Sequence, residues 1–237
     1  MSAPNAIADT EDFEFEALAE AVNYRNAIIN EFKSHLSGRI LEVGAGLGQT
    51  SEAILHLSGV EELVALEPDP RFQDGFRTRL PAVRFIGGTS QDLPDGEFFD
   101  AAVMVNVLEH IEDDQGELTR MRHILRRSSG HLCLLVPARP ELFSKLDAHF
   151  GHFRRYTRAD LRDKLTLAGF EIVSLHYFNF VGYFAWWLRF KVMQNMTFDI
   201  EHVRLFDRRI FPMVHALESR LMRPPIGQSL IAVGKAM

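Results

Sequence analysis

The stretch from Ile40 to Thr50, ILEVGAGLGQT, constrains the fold of this chain more than any other stretch. It combines a short apolar strand that carries Glu42, a turn with three alternate glycines, and the start of a helix. The glycines, Gly44, Gly46 and Gly48, permit a tight turn and let a ligand approach the backbone where a Cβ would block it. The stretch therefore predicts a strand–turn–helix unit with a ligand at its turn.

Short apolar runs alternate with longer amphipathic stretches along the chain, a pattern that is typical of βαβ units. Strands are predicted at 39–43, 63–66, 83–86, 101–105, 131–136, 171–177 and 229–233. Helices are predicted at 13–35, 49–57, 71–79, 113–126, 141–149 and 158–168, with a turn at 128–130. The first five strands are expected to be parallel, and the last strand is expected to return to the edge of the sheet.

The 237 residues, of which 46% are hydrophobic, predict one domain over 1–237. We divide it into a leader and N-terminal helix (1–36), a cofactor-binding core (37–136), an acceptor region with a helical insertion (137–223) and a terminal strand (224–237). Cys133 is the single cysteine, so neither an internal disulfide nor a Cys₄ or Cys₂His₂ zinc site is possible.

Charge and hydropathy exclude several classes of function. The first 20 residues contain six acids and no Lys or Arg, whereas a signal peptide begins with basic residues. This difference favours a cytoplasmic location. The remaining acids equal the 26 Lys and Arg residues in number, so the net charge of −6 lies in this leader and gives no support to a nucleic-acid partner. The longest apolar run, 181–188, is too short to span a membrane.

The spacing of the glycines distinguishes between two cofactor classes. A dinucleotide fingerprint needs G-x-G-x-x-G, but Gln49 stands three positions after Gly46, which disfavours a nicotinamide oxidoreductase. The carboxylate of Glu42 would repel a pyrophosphate and attract a ligand that carries an ammonium and a sulfonium. S-adenosylmethionine is such a ligand.

Two further loops follow strands and offer groups for the rest of this cofactor. Glu67 ends the second strand, 19 positions after Gly48, where an acid can accept hydrogen bonds from both ribose hydroxyls. After the third strand, Asp92 offers a carboxylate to an adenine amino group, and Leu93 offers an apolar contact to the ring.

With these residues the chain resembles the class I, S-adenosylmethionine-dependent methyltransferases, over roughly 24–136 and the terminal strand. The resemblance implies an α/β fold: a Rossmann-like, doubly wound, seven-stranded sheet, mostly parallel with a reversed last strand, plus an N-terminal helix and an aromatic helical insertion. The cofactor-binding set that we predict is Tyr24, Glu42, Gly44, Ala45, Gly46, Gly48, Glu67, Pro68, Asp92, Leu93 and Asn106.

The segment after the fourth strand, Asn106-Val107-Leu108-Glu109-His110, is similar to that of quinone-biosynthesis O-methyltransferases. Some of those proteins use a Glu-x-x-Glu-His set to hold a metal. Asn106 stands here where the first Glu would be, so we predict no metal. Glu109 and His110 are equally well explained as a helix cap and a cleft histidine.

A second group of candidate functional residues, 147–157, follows the fifth strand, and its sequence resembles a G-H-x-R-R-Y stretch of a bacterial subgroup of these methyltransferases. A hydroxyl acceptor needs a base, and we predict His149, His152 or His110 for that role. Arg154 and Arg155 could clamp an acceptor anion, with Tyr156 and Trp186 as further acceptor contacts. The alternative is a structural loop in which an arginine pairs with Asp147 or Asp160 and Thr157 caps a helix.

Residues 178–223 form an aromatic insertion that must be covered. The candidates are ordinary core, a lid over the acceptor, a second subunit in a homodimer, or peripheral contact with a membrane surface. Overall we expect a methyltransferase acting on a small-molecule acceptor, most simply at the oxygen of an aromatic or hydrophobic metabolite. The alternatives are N- or C-methylation of a small molecule or lipid, and a non-catalytic cofactor-binding regulatory protein.

Overall fold

The computed structural model describes residues 20–125, 130–193, 200–221 and 223–237. Its centre is a seven-stranded sheet in the order β3-β2-β1-β4-β5-β7-β6. The strands are β1 Gly38–Val43, β2 Val60–Leu66, β3 Arg84–Ile86, β4 Ala101–Val105, β5 His131–Pro137, β6 Phe170–Phe178 and β7 Ser229–Ala236. Strands β1 to β5 are mutually parallel and β7 is antiparallel to both its neighbours, as predicted.

The predicted position of the last strand at the sheet edge is wrong. Strand β7 is inserted between β5 and β6, and β6 forms the edge. Seven of the eight residues of β7 are buried, as expected for a strand covered on both faces, whereas β6 exposes Glu171 and Val173. Strand β7, whose apolar run is longer than that of β6, thus occupies the interior of the sheet.

Helices cover both faces of this sheet. They are α1 Val22–Phe32, α2 Gln49–Leu55, α3 Pro70–Arg79, α4 Asp114–Ile124, α5 Lys145–His149, α6 Arg158–Leu167, α7 Phe180–Trp186, α8 Ile200–Leu205 and α9 Phe211–Leu221. Two π-helical segments, Trp187–Val192 and Phe206–Ile210, extend α7 and precede α9. The predicted first part of the leader helix, the acidic leader up to residue 19, and most of the turn at 128–130 lie outside the described residues.

The predicted helix over 141–149 is wrong as one continuous element. A 3₁₀ turn, Pro140–Leu142, comes first, and α5 then begins after Ser144. The side chains of Ser144 and Asp147 form a capping box, which starts a new helix at this point. Thr157 caps α6 by accepting a hydrogen bond from Asp160 N, as predicted.

Two hydrophobic cores lie on opposite faces of the sheet because successive strand residues point to opposite sides. In β1, Leu41 packs with residues of α4 and α6, whereas Ile40 packs with residues of α1, α2 and α9. The sheet is therefore doubly wound. No helix within the described part of the chain is long and apolar enough to cross a membrane.

The insertion is fastened to the N-terminal helix. Asp207, which is buried, accepts hydrogen bonds from the backbone N–H groups of Asn23 at 3.0 Å and Tyr24 at 2.8 Å. The Tyr24 ring lies 5.3 Å from the ring of Phe211 and 5.4 Å from that of Phe178. These contacts place the insertion at the carboxyl edge of the sheet, beside Ser229.

Candidate functional site

The glycine loop turns sharply at the carboxyl end of β1. Gly44 and Ala45 both donate backbone hydrogen bonds to Leu66 O at 2.9 Å, which fixes the loop on the end of β2. Gly44 has a φ of +74°, and a Cβ there would lie 2.4 Å from Val107 Cγ2. Only glycine satisfies both the backbone conformation and the close approach of the loop that follows β4.

Glu67 lies at the end of β2 and braces this glycine loop. Its Oε2 accepts a hydrogen bond from Gly46 N at 2.8 Å, and its Oε1 accepts one from Asp69 N at 2.9 Å. Burial raises the pKa of Glu67, and these two backbone donors oppose that rise. Each carboxylate oxygen keeps a second lone pair, so hydrogen bonds from ribose hydroxyls remain possible.

Glu42 is buried within β1, and Ser51 of α2 donates a hydrogen bond to its carboxylate. Burial raises the pKa of Glu42 to about 8, and the nearby charge of Glu67 adds to the rise. A cation placed beside the loop would favour the charged carboxylate and reverse this shift. The residues of the loop thus fit a positively charged nucleoside ligand better than a phosphate.

The loop after β3 is shaped by its own side chains. Asp92 Oδ2 accepts hydrogen bonds from Thr89 N at 2.7 Å and from Thr89 Oγ1 at 3.1 Å, and its side chain is exposed. Leu93 packs partly against the core. In this conformation Asp92 closes the turn that carries it, and the predicted contacts of Asp92 and Leu93 with adenine stay predictions.

Asn106 directly follows β4 in the left-handed region, with a φ of +52°, and its backbone N–H donates a hydrogen bond to Leu135 O at 2.9 Å. A residue other than glycine held there stores local strain, which is common at ligand sites.

Tyr24 lies at the same carboxyl edge of the sheet, where its hydroxyl shares a hydrogen bond with Ser229 Oγ at 3.3 Å. Burial raises the pKa of Tyr24 to about 12. Pro68 is exposed at the end of β2, and the cofactor contacts of Asn106, Tyr24 and Pro68 stay predictions.

Two of the three predicted histidines meet although they are distant in sequence. The rings of His110 and His152 stand edge to face, with centroids 4.6 Å apart. Phe153 N donates to Glu109 O at 2.8 Å, which joins the loop after β4 to the loop after α5. Burial lowers the pKa of His110 to about 4, and the proximity of His152 adds to the decrease, so His110 is neutral at pH 7.

His152 is oriented by a carboxylate. Its Nδ1 is 3.2 Å from Asp147 Oδ1, and its Nε2 is buried with no hydrogen-bond partner among the described residues. Burial alone would raise the pKa of Asp147, but hydrogen bonds from His152 and Arg155 hold it below its ordinary value. An ionised Asp147 keeps the proton of His152 on Nδ1 and leaves Nε2 as an acceptor.

His149 is half-buried at the end of α5, with its ring centroid 6.2 Å from that of Phe150. The structure does not bring it into the group formed by His110 and His152. His152 lies next to an acid and offers an acceptor nitrogen, and the assignment of one of the three histidines as the base stays a prediction.

The two predicted clamp residues are paired with internal carboxylates. Arg155 Nε donates to Asp147 Oδ1 at 2.6 Å, and its side chain is 1% exposed. Arg154 lies 2.7 Å from Asp114 Oδ2. The pair of Arg155 with Asp147 is one that the alternative interpretation of the segment expected, whereas the pair of Arg154 with Asp114 is not. The acceptor-clamp role of both arginines stays a prediction.

Tyr156 is fully buried, and its hydroxyl donates to Asp114 Oδ2 at 3.0 Å, so it packs in the core. Its predicted contact with the acceptor stays a prediction. Burial raises the pKa of Tyr156, as does the neighbouring charge of Asp114. Trp186 is half-buried and covers the guanidinium of Arg155, whose Cζ lies 4.6 Å from the ring centroid.

The structure also brings together a set of potential metal ligands that the sequence did not predict. One ligand atom each of Glu109, His110 and His152 lies within 4.8 Å of the other two. The sequence showed Glu109 and His110 side by side but could not reveal that His152 approaches them. The same group can therefore support acid–base chemistry or hold a divalent cation.

These features define an α/β nucleotide-binding protein with a glycine loop, an acid at the end of β2 and a histidine pair at the carboxyl edge. Comparison with protein families agrees: a family described as a methyltransferase domain matches residues 13–175. The chain belongs to this family, and its cofactor is S-adenosylmethionine. No curated protein matches the sequence.

Solved structures share the fold at low sequence identity. A chain from the complex between the Haloferax volcanii Trm112 methyltransferase activator and a methyltransferase is 14% identical, with a TM-score of 0.65 and 99% of each chain covered. A SAM-dependent methyltransferase from Thermotoga maritima is 19% identical, with a TM-score of 0.60 and coverage of 96% of this chain and 97% of the other. The N-methyltransferase NodS of Bradyrhizobium japonicum, in complex with S-adenosylhomocysteine, is 13% identical, with a TM-score of 0.55 and coverage of 89% and 83%.

Proposed function

We propose that this protein transfers a methyl group from S-adenosylmethionine to the hydroxyl oxygen of a small aromatic or hydrophobic acceptor, with His152 as the general base. The observation that carries the proposal is the orientation of His152 by Asp147, which leaves a buried acceptor nitrogen beside the loop that follows β4. Bound S-adenosylmethionine supplies a methyl group that is electrophilic because it is attached to a sulfonium.

The carboxyl edge of β1 and β2 would hold the cofactor. Glu67 accepts the ribose hydroxyls while its other lone pairs retain the backbone of Gly46 and Asp69. Glu42 contributes negative charge next to the positively charged end of the ligand. Gly44 lets the loop and Val107 approach closely enough to close the site. Tyr24, at the same edge, would cover the bound cofactor.

Proton removal is the chemical task that distinguishes a hydroxyl acceptor. The acceptor oxygen would form its bond to the methyl carbon as the carbon–sulfur bond of the cofactor breaks and S-adenosylhomocysteine leaves. His152 Nε2 would take the hydroxyl proton and become an imidazolium. Asp147 stabilises that charge through Nδ1–H, as a carboxylate does for the imidazolium of a catalytic triad. Because His110 is neutral, it does not repel the new charge.

The acceptor would lie between the histidine pair and the helical insertion. Trp186, Tyr183 and Phe190 supply aromatic surface on α7 and its extension, and the ring of Trp186 lies 4.6 Å from that of Phe190. An apolar wall next to one base suits a phenol or quinol better than a highly charged acceptor. We propose Trp186 as an acceptor contact on this basis.

Turnover with wild-type protein and His152→Ala tests the proposal. The purified protein is given S-adenosylmethionine and a panel of phenols, quinols, hydroxy-lipids and amines, and S-adenosylhomocysteine is quantified. Loss of the base should lower the rate on a hydroxyl roughly 10²- to 10⁴-fold while the affinity for S-adenosylhomocysteine is unchanged. The exposed His123 of α4 provides a control substitution, His123→Ala.

The alternatives predict different results in the same assay. N- or C-methylation would give turnover on amines or activated carbons that His152→Ala leaves intact. A regulatory protein would bind the cofactor tightly and turn over no acceptor in the panel. A larger loss in His149→Ala than in His152→Ala would assign the base to the other predicted histidine.

A further inference from the structure

The insertion leaves an apolar stripe exposed along α7 and its π-helical extension. Phe184, Trp187, Leu188 and Val192 recur at helical spacing, and each side chain is between 45% and 53% exposed. Phe190, in contrast, is buried. This stretch therefore has one face against the protein and a second apolar face that points outward.

A second stripe follows on α8, the next π-helical segment and α9. Leu205, Ile210, Met213 and Leu217 are exposed, with Met213 at 76%. Asp207 and Phe211, on the opposite side, are buried against Asn23, Tyr24 and Phe178. Both helical stretches of the insertion thus present large apolar side chains to the outside.

The exposed charges of the insertion are mainly positive. Lys191, Arg208 and Arg209 are exposed, whereas the one exposed acid among the described residues of 180–217, Glu201, is paired with Arg204 at 2.6 Å. Asp207 is buried and bonded to α1. A chain with a net charge of −6 therefore carries a locally basic and apolar surface.

We propose that this surface, which we call the docking face (the exposed residues of the two stripes with Lys191, Arg208 and Arg209), binds an anionic lipid surface. Apolar side chains interleaved with cations on a helix that is too short to span suit the headgroup region of a bilayer. In a symmetric contact with a second copy, the same cations would face one another and repel. Anionic headgroups provide the missing complementary charge.

The position of the docking face gives this interaction a consequence. Its first helical stretch, α7 with the π-helical extension, packs against residues 143–155, because Trp186 covers Arg155 and Lys191 Nζ donates to Phe143 O at 2.7 Å. A hydroxyl compound dissolved in the membrane would therefore approach the protein on the side of the histidine pair. The lipid contact is tested separately from methyl transfer, so either can fail without the other.

Intrinsic fluorescence provides a direct test, because the two tryptophans of the chain, Trp186 and Trp187, both lie in the insertion. The full chain is mixed with vesicles of phosphatidylcholine alone, or with roughly one part in three phosphatidylglycerol. Binding to the anionic vesicles should shift the emission to shorter wavelength, and brominated lipid should quench it. High salt should weaken the effect.

Three variants separate the lipid contact from general surface effects. Arg208→Gln with Arg209→Gln should weaken partition roughly 30-fold. Leu188→Glu with Met213→Glu should abolish the shift. Leu167→Glu, at a leucine of α6 that is 78% exposed outside the docking face, should leave partition unchanged. Circular dichroism and thermal unfolding confirm that each variant is folded.

Three results would overturn the proposal. They are no binding to either kind of vesicle, equal binding to neutral and anionic vesicles, or a decrease in vesicle binding by Leu167→Glu as large as that by the docking-face variants. Light scattering after size exclusion identifies the rival occupant. A homodimer that Leu188→Glu with Met213→Glu separates into monomers, without any vesicle binding, would assign the docking face to a second copy of the chain.

Discussion

The carboxylate of Asp147 contacts Nδ1 of His152 at 3.2 Å, and neither group is exposed to more than 6% of its side-chain surface. This pair determines which nitrogen of His152 carries the proton. Asp147→Asn should disturb that tautomer and lower the rate of hydroxyl methylation by roughly 10²- to 10⁴-fold, as loss of the orienting acid does in a triad. Steady-state kinetics measure kcat, and calorimetry measures the affinity for S-adenosylhomocysteine, which should not change. An unaltered kcat would remove Asp147 from the account.

Arg155 compensates the buried charge of Asp147. Arg155→Met leaves that carboxylate buried without its cation and should lower the free energy of unfolding by roughly 3 to 5 kcal/mol. Arg154→Met provides the matched control, since Arg154 is 26% exposed and Asp114 retains Lys164 and Tyr156 as partners. Urea denaturation measures both variants. Equal decreases in the free energy of unfolding of the two variants would show that burial does not make the Arg155–Asp147 ion pair more important for stability.

Gly44 and Val107 are expected to depend on each other. Gly44→Ala places a Cβ against Val107 Cγ2 and forces a φ of +74° on a residue with a side chain, so cofactor affinity should fall at least tenfold. Adding Val107→Ala removes the methyl group in the way and should recover part of the loss, because the backbone strain remains. Titration calorimetry with S-adenosylhomocysteine compares the two. Full affinity in Gly44→Ala alone would contradict the assigned cofactor loop.

Glu42 should make cofactor binding and stability depend on pH. Its pKa of about 8 in the folded protein lies above that of an unfolded glutamate, so the folded state holds the extra proton between those values. The stabilising contribution is full below the unfolded pKa and is lost as pH rises through about 8. The positively charged cofactor favours the carboxylate, so its affinity should increase from pH 6 to pH 8. Glu42→Gln should make both the stability and the cofactor affinity less dependent on pH. If neither quantity depends on pH in the wild-type protein, the proposed role of Glu42 is refuted.

Removal of metals shows whether His110 and His152 serve acid–base chemistry or hold a divalent cation. With His152 as the base, treatment with a chelator should leave kcat unchanged. Added Zn²⁺ should inhibit, because Glu109, His110 and His152 are close enough to bind it and would occupy the base. Activity measured before and after chelation gives the answer. Activity that is lost on chelation and restored by a divalent cation would mean that the cation, rather than His152, activates the acceptor.

The elements near the glycine loop could be predicted from sequence because local patterns determine them. The strand, the turn and the beginning of α2 near Gly44 follow from the residue types alone. The sequence also predicts β4 with its observed bounds, Ala101–Val105. Strand β7 was predicted but misplaced, because its position depends on pairing with two strands that are distant in the chain. Its nearly continuous apolar sequence was the available signal for an interior position.

The acceptor side was less predictable because its contacts are also non-local. His110 and His152 were each proposed separately, but their meeting depends on how two loops pack. Tyr156 lies in a polar segment, yet Asp114 of α4 provides a buried hydrogen-bond partner that makes it part of the core. No spacing rule relates these two positions. Local motifs thus predicted the cofactor class, whereas the arrangement around the acceptor required the fold.

The rate of methyl transfer to a phenol and to its amine analogue, measured for wild-type protein and for His152→Ala, tests the central claim most directly. The account predicts turnover of the phenol by the wild-type protein and a roughly 10²- to 10⁴-fold loss of that rate in the variant. Cofactor affinity should be equal in the two proteins. Equal rates on the phenol, or turnover confined to the amine in both proteins, would contradict hydroxyl methylation with His152 as the base.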